Sequence, residues 1–130
     1  MADPPPRLPR VLLVAGDDRV ARSLGRALRA SAELVMARDA RSALGLLAGR
    51  RFEVVVAQLA LPDGDGLAVL AEAERLCPGA GRALFAWAGP TPEAELALGE
   101  GRLAALLCRP EGLVELVALV RSQAPGGGPG

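Results

Sequence analysis

Phe52-Glu53-Val54-Val55-Val56-Ala57-Gln58-Leu59-Ala60-Leu61-Pro62-Asp63-Gly64-Asp65-Gly66-Leu67 is the stretch whose reading decides the fold of this chain. It is an apolar, β-branched run ending in a polar residue, followed by Pro, Asp and two Gly. Such a pattern reads as a buried parallel strand that delivers its last side chain, Gln58, into a loop at the carboxyl edge of a sheet. Doubly wound α/β folds gather their functional residues at that edge.

Outward from this segment, strand and helix patterns alternate roughly five times. Toward the N-terminus, Leu34 to Ala37 is a short strand, and Ala40, Ala43, Leu44 and Leu47 line a helix begun by Asp39. Before them, Arg10 to Val14 is an apolar strand, and Val20, Leu24, Ala27 and Leu28 recur at helical spacing with Asp17 or Asp18 as N-cap. Toward the C-terminus, Leu67, Leu70, Ala71 and Glu74 lie on a third helix closed by Cys77-Pro78-Gly79. Leu84 to Trp87 is the fourth strand, Pro92 to Leu98 a short helix, Leu103 to Cys108 the fifth strand and Gly112 to Ser122 the last helix. Strands alternating with helices of this length imply a parallel sheet with helices on both faces.

At 130 residues and 51% hydrophobic content, the chain can bury a core and is too short for two ordinary domains. A formal net charge of zero argues against general binding to nucleic acid or a membrane surface. His, Lys, Tyr, Asn and Ile are absent and all 15 basic residues are Arg, a bias that looks like GC-rich coding. Without His or Lys there is no Ser-His triad, Schiff base or His-bearing zinc site. Cys77 and Cys108 lack any paired spacing, which fits the reduced thiols of a cytoplasmic protein. Met1 to Arg7 has no apolar core of a signal peptide, and no apolar run reaches the roughly 20 residues of a membrane helix. The expected organisation is a flexible arm over 1–9, one domain over 10–122 and a disordered Gly/Pro tail over 123–130, with no effector domain after it.

Residues 52–67 resemble, without a gap, the third strand and following loop of bacterial response-regulator receiver domains, where Asp-Leu-x-Leu-Pro-Asp-x-Asp-Gly-Leu is the usual wording. The resemblance covers about residues 10 to 122. It implies a doubly wound, five-stranded parallel sheet of the flavodoxin-like, CheY-like kind with strand order 2-1-3-4-5, and a role in two-component or phosphorelay signalling. Gln58 falls at the phosphoacceptor Asp. Ala15 and Gly16 fall at the two acids that help hold magnesium, with Asp17 and Asp18 one and two residues later. Trp87, followed by Ala88, falls at the Thr or Ser whose hydroxyl binds the phosphoryl group. Leu106 falls at the aromatic switch residue, and Arg109-Pro110 at a Lys-Pro pair whose proline peptide is often cis. Pro62, Asp63, Asp65, Gly66 and Pro110 keep the family's loop residues.

An amide cannot form an acyl phosphate, an indole cannot accept a hydrogen bond and has the bulk to fill a phosphoryl pocket, and an Arg fork is not a compact ammonium. The resemblance therefore implies a pseudo-receiver: no enzyme, no cofactor and no metal, Asp17 being the one acid placed to reach a metal, against its reading as a helix cap. Two alternatives stand beside it. One is a receiver phosphorylated on a displaced acid, Asp63, Asp65 or Asp17. The other is a small flavodoxin-like ligand-binding protein, whose phosphate loop Ala15-Gly16-Asp17-Asp18 would repel phosphate.

Binding to another protein is the function that remains, with a histidine kinase, a phosphotransfer protein or an effector as partner. Arg19, Arg22, Arg26 and Arg29 follow spacings of three, four and three, a basic stripe opposite the apolar face of the first helix. In receivers that helix lies against the phosphotransfer domain of a kinase; a solvated charged face is the competing reading. On the last helix, Leu113, Leu116, Val117 and Val120 form an apolar face widened by Val114, Ala118 and Leu119. That face reads as a homodimer surface through Val114 and Leu119, or as deep packing on the sheet.

Overall fold

A computed structural model describes residues 8–87, 89–108 and 113–123. In chain order the elements are β1 (Arg10–Val14), α1 (Asp18–Leu28), β2 (Glu33–Ala37), α2 (Ala40–Gly49), β3 (Val54–Gln58), β4 (Ala60–Leu61), β5 (Gly64–Asp65) and α3 (Gly66–Leu76). β6 (Gly81–Phe85), α4 (Pro92–Gly99), β7 (Ala105–Leu107) and α5 (Leu113–Ser122) complete them. β4 and β5 form a small antiparallel ribbon of their own. The main sheet is wholly parallel in the order β2-β1-β3-β6-β7, which is the expected 2-1-3-4-5 once the ribbon is set aside.

The apolar runs of β1 and β3 are continuous because both faces of the sheet are covered. Alternation then sorts their side chains into two cores. Leu12, Val14, Val55, Ala57 and Leu84 meet Ala43, Leu47, Val69, Leu70 and Ala97 of α2, α3 and α4. Val11, Leu13, Val54, Val56 and Phe85 meet Leu24, Leu28, Leu116 and Val120 of α1 and α5. Truncating one of the fully buried leucines, Leu24 or Leu84, to Ala would cost about 2–5 kcal/mol.

Several boundaries differ from expectation for visible reasons. β6 starts at Gly81 and ends at Phe85, so Trp87 lies in the turn beyond it. The polar Arg82 hides the strand's start in the sequence, yet its guanidinium is satisfied by the carbonyls of Arg102 (2.8 Å) and Ala80 (3.1 Å). β7 is confined to Ala105–Leu107. On α2 the buried stripe is Ala43 and Leu47 with Leu46 beside it, while Leu44 faces solvent. Pro9, read as part of the arm, is buried, and its carbonyl accepts the Glu33 N–H at 2.9 Å. Arg109, Pro110, Gly112, the arm to Arg7 and the tail from Ala124 lie outside the described residues. Among the described residues no helix is long and apolar enough to cross a membrane.

Candidate functional site

The carboxyl ends of β1, β2 and β3 release three loops side by side, and their side chains tie these loops into a closed ring. Gln58, the half-buried last residue of β3, turns its Oε1 onto the backbone N–H of Asp17 at 3.2 Å and so joins the β3 end to the β1–α1 loop. Pro62 makes the same connection by contact: a Cβ on Gly16 would stand 2.7 Å from its Cδ. From the β2–α2 loop, the Nη2 of Arg38 donates to the Gly16 carbonyl at 3.2 Å and to the Asp18 carboxylate. Asp63 closes the ring by accepting the N–H groups of Ala40 (2.7 Å) and Arg41 (3.0 Å) at the start of α2.

Gly66 fixes where α3 begins. Its N–H donates to the Leu59 carbonyl at 2.8 Å, and a Cβ there would lie 2.1 Å from the Gln58 carbonyl oxygen. Only glycine allows that approach of helix to strand. Asp65 then caps α3 through the Ala68 N–H at 2.8 Å.

The other acids of this edge are also engaged with helix starts, where free N–H groups and the helix dipole favour a carboxylate. Asp17 accepts from Arg19 (2.7 Å) and Val20 (3.2 Å), and Asp39 accepts from Ser42 (2.7 Å). Hydrogen bonding by Ser42 holds the Asp39 carboxyl below its ordinary range. The Arg38 hydrogen bond, followed by the charge of the same guanidinium, does so for Asp18.

A signal receiver domain of an HD domain-containing protein from Pseudomonas fluorescens is 31% identical to this chain, with a TM-score of 0.78 over 90% of this chain and 94% of that one. The chain belongs to the receiver-domain family. Two further structures share the receiver's fold. The CheY-like response regulator receiver domain from Methanospirillum hungatei is 22% identical, with a TM-score of 0.76 over 89% of this chain and 96% of that one. The non-phosphorylated HemR receiver domain from Leptospira biflexa is 22% identical, with a TM-score of 0.74 over 94% and 98%. No family model and no curated protein sequence matches the chain.

The magnesium that the family implies does not fit the residues of this receiver. A dication needs several free oxygen ligands. Ala15 and Gly16 bring none from their side chains, and Pro62 leaves no room for an acid at 16. Asp17 is a helix cap and Asp18 is held by Arg38. Among the described residues no three His, Cys, Asp or Glu are grouped to hold a metal. Asp63 and Asp65, the other displaced acids, are likewise bound to backbone N–H groups.

Trp87 departs from its expected place. It stands edge-on to Phe85, ring centroids 4.4 Å apart, and remains 37% exposed, because the strand has already ended two residues before it. Leu106 is half-buried against the α2, α3 and α4 core. Arg19, Arg22, Arg26 and Arg29 are all exposed, as the stripe required. The last helix needs a correction, since Val114 and Leu119 do not share a surface. Val114 is 77% exposed, whereas Leu119 packs on the core within van der Waals reach of Gly81. Exposed apolar surface on α5 instead runs along Leu113, Val114, Val117 and Ala118. Arg38 was missed altogether: a charged residue after a strand carries no periodic signal, and its partners lie 20 and 22 residues away.

Proposed function

We propose that this receiver signals without phosphorylation, as a domain of the two-component or phosphorelay type that acts by binding another protein. The observation that carries the reading is the Gln58 carboxamide, which is bonded to the Asp17 N–H at the end of β3, where the sequence resemblance puts the acceptor. An amide has no carboxylate oxygen to attack phosphorus, and phosphoryl transfer depends on positioned cations for its electrostatic stabilisation. The capping roles of Asp17, Asp63 and Asp65 weigh against a displaced acceptor. The partner is a histidine kinase, a phosphotransfer protein or an effector, met by the exposed arginines of α1.

Purified protein incubated with labelled acetyl phosphate and magnesium takes up no label, and beryllofluoride leaves the emission of Trp87, the single tryptophan, unchanged. Base-labile label on any aspartate would overturn the reading.

A further inference from the structure

We propose that Arg38 is a built-in cation which closes the loops at the carboxyl edge, so that this receiver holds the edge together without magnesium. A hard dication would draw together oxygens from neighbouring loops. Here two oxygens, the Gly16 carbonyl of the β1–α1 loop and the carboxylate of Asp18 at the first position of α1, meet one guanidinium nitrogen arriving from the β2–α2 loop. Arginine suits the task because its planar fork carries several donors and keeps its charge at any physiological pH. Arg38 and Asp18 neutralise each other, Gln58 is uncharged, and Pro62 occupies the space above Gly16. A dication would therefore have to displace an existing ion pair to gain a single carboxylate. The Arg38 side chain is half-exposed and that of Asp18 mostly exposed, which limits the clamp's strength to that of a surface pair.

The test uses the whole chain and backbone amide NMR. In the wild type, magnesium up to about 10 mM, above the weakest dissociation constants usual for calcium-binding protein modules, produces no saturable shift at Gly16, Asp17, Asp18 or Gln58. In R38M, which keeps an apolar stem but no donors, the Asp17, Arg19 and Val20 amides exchange about threefold faster, the scale of a surface ion pair, while the sheet amides are unchanged. A saturable magnesium shift in the wild type, or unchanged exchange at those three amides in R38M, overturns the proposal. Neither measurement involves phosphoryl uptake, so its failure and that of the functional reading are seen separately.

Discussion

The side-chain oxygen of Gln58 accepts the backbone N–H of Asp17 at 3.2 Å, across 41 residues of sequence. Asp17 thereby has both ends in use, its N–H on β3 and its carboxylate on the first turn of α1. One neutral amide thus couples the end of the central strand to the start of the first helix.

Gln58→Asp tests that coupling and the chemistry together. Aspartate is one methylene shorter, so it cannot reach the Asp17 N–H in the same way, and it brings a negative charge toward a helix cap that is already anionic. The variant should lose about 1 kcal/mol in urea unfolding, the worth of one intramolecular hydrogen bond. It should still take no phosphoryl label, because the new carboxylate meets neither an acid at Gly16 nor a hydroxyl at Trp87. Efficient labelling of this single variant would mean that the edge is far less altered than its hydrogen bonds indicate.

Acid should loosen the ring before it melts the core. The carboxyls of Asp18 and Asp39 are held below their ordinary value of 3.8 in the folded protein. A depressed folded value means that their contribution is complete above about pH 4 and fades as pH falls through the lowered values. Thermal melts from pH 7 to pH 3 should therefore decline on the acid side, and R38M, in which the Asp18 carboxyl has lost its partner, should decline less steeply. A wild-type melting temperature that rises between pH 5 and pH 3 would contradict this.

Most of the fold was legible in the sequence, because Val54–Ala57 and Val11–Val14 are unbroken apolar runs and a parallel sheet covered on both faces asks for little else. Asp39 was readable for a local reason, an acid before an apolar period capping a helix, whereas Asp65, which caps α3 in the same way, was read only as a loop residue. Gln58 stood out by its place at the end of a strand. The ring was not readable, since Arg38 on Asp18 and Asp63 on Ala40 join residues 20 and 23 positions apart, and nothing periodic marks such pairs. Arg82 misled for the opposite reason. A charged residue inside a strand looks like loop until the carbonyls that satisfy it are seen.

The divergence of Val114 and Leu119 separates packing from association on α5. Val114→Glu changes a side chain that is 77% exposed and should shift stability by no more than about 0.5 kcal/mol. Leu119→Glu places a charge against the core beside Gly81 and should cost about 2–4 kcal/mol. If α5 mediates a homodimer, sedimentation of the Val114 variant shows the monomer mass with an intact melt. A dimer that survives Val114→Glu at full strength removes this part of α5 from the interface.

Reversing Arg22 and Arg26 tests the remaining surface. Both are exposed on the face of α1 opposite Leu24 and Leu28, so the doubly substituted R22E/R26E should fold and melt within about 0.5 kcal/mol of the wild type. Its effect should appear in binding. An acidic partner recovered by the wild-type chain should associate more slowly with the variant, and the difference should be largest at low salt and shrink toward about 0.15 M, where charges further apart than about 8 Å are screened. That salt dependence is what distinguishes a docking stripe from a solvated face. A stripe that only keeps the helix wet would leave association rates equal at every ionic strength, and the partner surface would then have to be sought on the apolar strip of α5.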